Sequence, residues 1–172
     1  MGPIQAEVEI DAPRERIFEL VGDLSLRPSF TDHFLTGQRL TRLNASGVGA
    51  GARFRVKMPL RSPWEDTAIV EQAENTRVVE QGAGGRVNRI RTHTVWELSG
   101  GSGGQTRLTV THWTEPANPL DAMLEKLSGA AYWQRRGWNE ALRRLREAIE
   151  NDLPAGERIA VAGGNRYATG IP

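Results

Sequence analysis

The C-terminal part of the chain carries a long helical pattern. Between residues 119 and 152, apolar residues recur at alternating steps of three and four, the spacing of one stripe along an α-helix. Two glycines, Gly129 and Gly137, interrupt the stripe, and between Ala131 and Trp138 a polar residue takes the apolar position. We therefore predict one long helix whose middle section either bends or packs closely against another backbone, or else faces a cavity. The stripe consists of Leu120, Leu124, Leu127, Ala131, Trp138, Leu142, Leu145 and Ile149.

The opening segment predicts a strand followed by two helices. Apolar and polar residues alternate over residues 4–10, as in a strand with one buried and one solvated face. Asp11 and Pro13 then supply the chemistry of a helix start, and an amphipathic pattern follows. Pro28 interrupts this helix, and residues 28–34 predict a second, short helix.

The middle of the chain predicts a series of strands separated by short, glycine-rich turns. Because each connection is short, sequential strands are expected to pair antiparallel as a meander. The element order then segregates the helices from a single sheet, which makes the fold α+β. We predict a seven-stranded curled antiparallel sheet wrapped around the long C-terminal helix. After the first strand, the predicted strands are residues 38–43, 52–58, 64–72, 77–81, 87–98 and 105–114.

Length and composition restrict the class of protein. A chain of 172 residues fits one domain, here residues 1–153, followed by a glycine-rich, aperiodic tail at 154–172. The tail is expected to be mobile or to dock against the domain or a neighbouring subunit, which leaves a homodimer open. The formal charge of +1 neither indicates nor excludes a nucleic-acid partner, and the absence of cysteine excludes thiolate chemistry. With no apolar run of membrane-spanning length and no basic leader, we expect no membrane insertion and a cytoplasmic location.

Four segments carry a resemblance to a known superfamily. They read VEIDAPRERIFELVGD at residues 8–23, RPSF at 27–30, GVGAGARF at 47–54 and TRLTVTHWTEP at 106–116. On these segments the chain resembles the SRPBCC superfamily, whose helix-grip fold is shared by START lipid-transfer domains and the birch pollen allergen family. The polyketide cyclase/dehydrase group of that superfamily is the most similar. The resemblance covers about residues 3–151 and concerns scaffold motifs, which specify a fold better than a substrate.

The resemblance implies a deep, largely apolar cavity between the sheet and the long helix, used without a cofactor. The expected function is binding or transport of a small hydrophobic ligand such as a lipid, a quinone or a polyketide-like molecule. One alternative is a polyketide aromatase or cyclase that works through polar residues of the cavity. Another is a co-chaperone-like or ribosome-associated interaction module.

His112 is the candidate catalytic residue. In the last predicted strand it shares a face with Leu108 and Val110, which places the imidazole on the core side. An imidazole in an apolar cavity can act as a general acid or base near neutral pH. The alternative is a core histidine hydrogen-bonded to a threonine or a carbonyl.

Further candidates line the expected cavity or its mouth. Gln134 would orient an apolar ligand through a polar contact, and two phenylalanines would close the mouth. His33 falls either at this mouth or on the solvated surface, and His93 is expected on the outer face. The ligand-binding candidates are Phe30, Phe34, Thr92, Thr94, Trp96, Val110, His112, Tyr132, Gln134 and Trp138.

Other kinds of site find no support in the sequence. Histidines and carboxylates show no helical spacing suited to metal ligands, so no metal is expected. No serine lies in a nucleophile-elbow context. Glu65 and Asp66 are adjacent in a predicted strand and therefore point to opposite faces, where they cannot act as an acid/base couple.

Overall fold

The computed structural model describes residues 1–59, 62–152 and Ile159. Its strands form one seven-stranded sheet in the order β1-β7-β6-β5-β4-β3-β2. The strands are β1 (Ile4–Ile10), β2 (Leu35–Leu40), β3 (Gly51–Val56), β4 (Trp64–Ala73), β5 (Arg77–Gly84), β6 (Ile90–Gly100) and β7 (Thr106–Pro116). The helices are α1 (Arg14–Gly22), α2 (Pro28–Thr31), α3 (Pro119–Leu127) and α4 (Ala130–Glu150).

The predicted antiparallel meander is confirmed, and β1 closes the sheet by pairing with β7. The register sets Thr94 of β6 opposite His112 of β7, so both side chains lie on the same face of the sheet. Strand β2 begins at Leu35, three residues before the predicted start, because Leu35 pairs with Val56 and is buried there. The predicted α+β fold with a curled sheet and a long C-terminal helix is confirmed.

Helix α4 covers the inner face of the sheet along most of its length. The predicted apolar positions from Trp138 onward are buried, and they belong to one hydrophobic core with residues of β1 and α1. Burying such side chains stabilises the fold by about 1.5 to 3 kcal/mol each. The α4 residues in this core are Ala130, Trp138, Ala141, Leu142, Leu145 and Ile149.

The helical pattern over residues 119–152 is divided between two helices, and the bend expected at its glycines is a break. Helix α3 ends at Leu127, and Gly129 adopts a left-handed conformation with φ of 64° before α4 begins. Glycine adopts this conformation without steric cost, so it can end one helix and redirect the chain into the next. Gly137 lies within α4, where a Cβ would come 2.5 Å from the ring of Phe34. The two glycines therefore mark a break and a close side-chain contact.

The prediction that the first part of the stripe faces the core was wrong. Leu120, Leu124 and Leu127 are 60%, 44% and 75% exposed, whereas the buried residue of α3 is Glu125. Because the helix breaks at Gly129, α3 does not continue along the axis of α4. Helix α3 therefore turns the carboxylate of Glu125 toward the domain. The predicted tail at 154–172 lies outside the described residues except for Ile159, whose N–H donates to the Ser25 carbonyl at 3.1 Å.

Candidate functional site

The space between the sheet and the start of α4 is lined by polar side chains. The inward faces predicted for β6 and β7 are confirmed, since Thr92, Thr94, His112 and Thr114 are all buried. Two small chambers lie here, with volumes of about 10 Å³ and 40 Å³. The resemblance implied a deep apolar cavity, but threonines, carboxylates and an amide fill much of this interior.

The inner chamber, the smaller of the two, lies deepest. It is bounded by His112, Thr94, Gln134 and Trp138 together with apolar residues of β2 and β3. The outer chamber lies toward the start of β6 and is bounded by Thr92, Thr114 and Glu125, among others. Val56, Glu65 and Gln134 line both chambers, so the two lie next to each other.

An open groove of about 1160 Å³ lies outside the chambers. It runs between the first half of α4 and the chain that follows β3. Met58 lines both the groove and the outer chamber, and the buried ring of Phe34 forms another part of the groove wall. The groove combines apolar and cationic residues, including Phe34, Met58, Pro59, Tyr132, Trp133, Lys57, Arg135 and Arg136.

Glu80 is a buried carboxylate with a complete set of partners. Its Oε1 lies 2.7 Å from Nη2 of Arg27 and accepts the indole N–H of Trp96, also at 2.7 Å. Its Oε2 accepts a hydrogen bond from the hydroxyl of Thr67 at 3.2 Å. This arrangement ties the segment before α2 to the sheet and has a structural role.

Glu125 is a second buried carboxylate whose charge is compensated. The amino group of Met1 lies 2.7 Å from its Oε2, and the hydroxyl of Thr114 donates to the carboxylate at 2.8 Å. These contacts attach α3 to the end of β7. A buried charge is tolerated only when it is paired. These two partners therefore allow α3 to turn Glu125 inward.

Glu65 differs from the other two buried carboxylates. It is 8% exposed and lines both chambers, yet no cation among the described residues pairs with it. Burial raises the pKa of Glu65 to about 7, against the opposing effect of a hydrogen bond from Thr92. Near neutral pH its carboxyl group can therefore donate a hydrogen bond as a neutral acid or accept one as an anion.

His112 is buried in the wall of the inner chamber, which Glu65 also lines. Its Nδ1 lies 2.9 Å from the hydroxyl of Thr94, while its Nε2 has no hydrogen-bond partner among the described residues. Burial lowers the pKa of His112 to about 4, so the imidazole is uncharged at neutral pH. The indole N–H of Trp138, another wall of the inner chamber, also has no partner within the described part of the chain. The chamber thus presents two polar atoms whose hydrogen-bonding capacity the described residues leave unused.

The structure brings together most of the predicted site residues. Thr94, His112, Gln134 and Trp138 surround the inner chamber, and Thr92 lies at the outer one. Phe34 and Tyr132 line the groove.

Three predicted site residues lie elsewhere. Phe30, Trp96 and Val110 are at most 1% exposed and line neither the chambers nor the groove. Phe30 does not close a mouth, because its ring packs edge-on against Trp96 with centroids 6.4 Å apart. Trp96 in turn directs its indole N–H to Glu80.

His33 lies at the groove rather than on the open surface. Its Nε2 is 3.1 Å from the carbonyl oxygen of Gly137, and its ring contacts Phe34 with centroids 4.9 Å apart. Partial burial lowers the pKa of His33. His93 is on the outer face as predicted, where it stacks on Trp113 at 4.8 Å.

Sequence analysis missed Glu65, although the signal was available. Glu65, Thr67 and Ile69 share one face of β4, and Ile69 belongs to the core. Extending this alternation places Glu65 inside. Its neighbour Asp66 lies on the outer face, 3.5 Å from Arg53, so the predicted opposite orientation is confirmed.

The described residues offer neither a cluster of metal ligands nor a membrane-spanning helix. Over residues 1–59 and 62–152, no group of three or more His, Asp or Glu side chains is placed to hold a metal ion. None of the helices in the described part of the chain is long and apolar enough to cross a bilayer. The cytoplasmic location and the homodimer stay predictions.

A curled antiparallel sheet closed by a long C-terminal helix, with polar chambers between them, defines a protein of the helix-grip class. The chain belongs to the family described as polyketide cyclase / dehydrase and lipid transport, whose model matches residues 1–150. This family is part of the superfamily whose resemblance was noted in the sequence. A comparison with curated proteins gives no match.

Solved structures share the fold at low sequence identity. A START superfamily protein from Mycobacterium smegmatis is 20% identical with a TM-score of 0.62, covering 86% of this chain and 98% of its own. Major latex-like protein 151 from Panax ginseng is 16% identical with a TM-score of 0.61, covering 89% and 98%. DynU16, from the dynemicin biosynthetic locus, is 19% identical with a TM-score of 0.60, covering 92% of this chain and 50% of its own.

Proposed function

We propose that this protein binds a small apolar molecule that carries a hydrogen-bonding group. The observation that supports this most is Glu65, a buried carboxyl without an ionic partner among the described residues, which lines both chambers. A buried ionisable group costs stability unless it is satisfied, so its retention in the wall of a chamber favours a binding role. The family description, which includes lipid transport, supports the same class of ligand.

Access to the chambers would run through the groove. Met58 separates the groove from the outer chamber, and a methionine side chain changes rotamer readily because it is unbranched. In this proposal the apolar part of the ligand occupies the groove against Phe34 and Trp133. Its polar end displaces Met58 and reaches Glu65 and Gln134.

The proposed hydrogen bonding is pH-dependent. A neutral Glu65 carboxyl donates to a carbonyl or carboxylate oxygen of the ligand, and the amide of Gln134 supplies a second donor. Above the Glu65 pKa of about 7 the carboxyl is ionised and no longer donates. The affinity for an oxygen acceptor should therefore fall as the pH rises from 6 to 8.

Native mass spectrometry of gently purified protein tests for a retained ligand, and titration with parinaric acid and menadione tests binding directly. We expect saturable binding that weakens at least tenfold in Glu65→Ala. The matched control is Asp66→Ala, which removes the adjacent carboxylate from the outer face and should bind like wild type. Absence of saturable binding for both probes, together with the absence of any co-purifying molecule, would overturn the proposal.

The Glu65 pKa also supports an enzyme as the second candidate function. A carboxyl group with a pKa of about 7 can both accept and donate a proton at neutral pH. In this candidate function the neutral imidazole of His112, the predicted catalytic residue, is a second proton acceptor. The test is exchange of the α-protons of 2-tetralone in D₂O, followed by NMR. Faster exchange with wild type than with Glu65→Gln or His112→Ala supports an enzyme, whereas equal rates leave only the binding function.

A further inference from the structure

Helix α3 presents its apolar side chains to solvent instead of to the core. Leu120, Met123, Leu124 and Leu127 follow i, i+3, i+4 and i+7 spacing and thus form one side of the helix, here called the apolar stripe. They are 60%, 51%, 44% and 75% exposed. The opposite side of the helix carries Glu125, which is buried against Thr114. An amphipathic helix in this orientation indicates a surface that something else covers.

The apolar stripe continues into the first turn of α4. Tyr132 and Trp133 are 62% and 38% exposed, and Trp133 lies beside the Gly129 turn that joins the two helices. Both aromatic residues also line the groove. Tyrosine and tryptophan favour the boundary between an apolar phase and water, because each has an apolar body and a polar tip.

Cationic residues lie near this apolar surface, on α3, on α4 and along the groove. Lys57, Lys126, Arg135 and Arg136 are exposed and are here called the cationic collar. No carboxylate of residues 1–59 or 62–152 forms an ion pair with any of the four, whereas Arg143 and Arg144 further along α4 are paired with Glu140. Asp121, the half-buried acid of α3, is engaged by the side chain of Asn118. The surface is therefore apolar at its centre and positive at its edge.

We propose that α3 and the first turn of α4 dock this protein on the surface of an anionic lipid membrane. The apolar stripe enters the headgroup region, and the cationic collar contacts the lipid phosphates. Docking of this kind is peripheral and needs no membrane-spanning helix. The proposal does not depend on the proposed ligand-binding function, although a groove mouth at the membrane would suit a ligand taken from it.

A second copy of the chain is a less suitable occupant. A two-fold dimer places the same surface of each copy against the other, which would bring the two cationic collars together. Like charges at such an interface oppose association. A membrane containing anionic lipid instead supplies the opposite charge.

Co-sedimentation with lipid vesicles tests the proposal. Wild-type protein should bind vesicles that contain phosphatidylcholine and phosphatidylglycerol, and added salt should weaken this binding. Binding to vesicles of phosphatidylcholine alone should also be weaker. The double variant Met123→Glu/Leu127→Glu should lose at least tenfold in binding. Its matched control is Leu43→Glu/Val48→Glu, which changes two apolar residues that are 84% and 64% exposed elsewhere on the surface. This control should bind like wild type.

Charge is tested separately from apolar contact. Arg135→Gln/Arg136→Gln should reduce binding by roughly fivefold for each cation removed. Its control, Arg42→Gln/Arg91→Gln, removes one exposed arginine from the connection after β2 and one from β6, and should bind nearly as well as wild type. Circular dichroism and thermal unfolding confirm that each variant is folded.

Three results would overturn the proposal. The first is wild-type protein that does not bind anionic vesicles. The second is a dimer that Met123→Glu/Leu127→Glu dissociates in light scattering, which assigns the apolar stripe to a second copy. The third is hydrogen exchange in α3 that accelerates when the residues after 152 are removed, which assigns the stripe to the chain's own C-terminal segment.

Discussion

The ring of Phe34 occupies the space beside the backbone of Gly137. A Cβ at residue 137 would lie 2.5 Å from the nearest ring carbon of Phe34, well inside van der Waals contact. The same ring packs edge-on against Trp138, with centroids 5.1 Å apart. Because Gly137 has no side chain, the segment after α2 can approach α4. The ring of Phe34 then forms the inner wall of the groove.

We expect Gly137→Ala to destabilise the protein. Overpacking against a buried ring costs about 1 to 3 kcal/mol, which exceeds the gain of up to about 1 kcal/mol from replacing glycine in a helix. Urea unfolding should show a net loss of about 1 to 2 kcal/mol. Asn139→Ala, an exposed change on the same helix, is the control and should be neutral or slightly stabilising.

The loss should be smaller when Phe34 is already leucine, because the clash involves the aromatic ring. A double-mutant cycle between Gly137→Ala and Phe34→Leu measures this coupling. If Gly137→Ala keeps wild-type stability, the close approach of Phe34 does not constrain residue 137.

Sequence patterns predicted strands better than they predicted the direction of helices. Alternation in a strand gives two faces, and a single core residue such as Leu108 identifies which face is inside. Helical spacing gives a stripe but does not say what the stripe contacts, so α3 and α4 looked alike. The left-handed conformation of Gly129, which separates them, depends on backbone geometry that the stripe spacing does not encode.

The candidate site shows the same limit. The inward position of His112 followed from alternation with Leu108 and Val110. The polar character of the chamber did not follow from alternation, because it depends on which buried carboxylate pairs with a cation. Glu80 pairs with Arg27, which lies 53 residues earlier in the segment before α2. Glu65 pairs with no cation among the described residues.

The stability of the protein should depend on the ionisation of Glu65. Burial raises the pKa of this carboxyl from 4.5 to about 7, so the folded state binds a proton more tightly than the unfolded state. The resulting stabilisation is complete below pH 4.5 and is lost as the pH rises through about 7. A shift of this size corresponds to about 3 kcal/mol.

Glu65→Gln removes this dependence, because the amide does not ionise. Relative to wild type, the variant should gain about 3 kcal/mol in unfolding free energy between pH 4.5 and pH 8. Urea unfolding at several pH values measures the difference. Asp66→Asn makes the same change of charge on the outer face and should not reproduce the gain. A constant difference between Glu65→Gln and wild type would show that Glu65 is not buried as a neutral acid.

His112 should have the opposite pH dependence. Burial lowers the pKa of its imidazole from 6.5 to about 4, so the folded state binds a proton less tightly than the unfolded state. The corresponding stabilisation is complete above pH 6.5 and is lost as the pH falls through about 4. Over this window the effect is again about 3 kcal/mol, and in wild type it partly cancels the effect of Glu65.

The comparison of His112→Gln with wild type should therefore be made in the Glu65→Gln background, where the opposing titration of Glu65 is absent. We expect the advantage of His112 over glutamine to be constant above pH 6.5 and to shrink by about 3 kcal/mol as the pH falls toward 4. The glutamine amide can still bond the hydroxyl of Thr94, so the variant keeps a polar contact that alanine would lose. If the advantage stays constant with pH, the imidazole can be protonated within the fold. It would then serve as a general acid as well as a proton acceptor in the chamber.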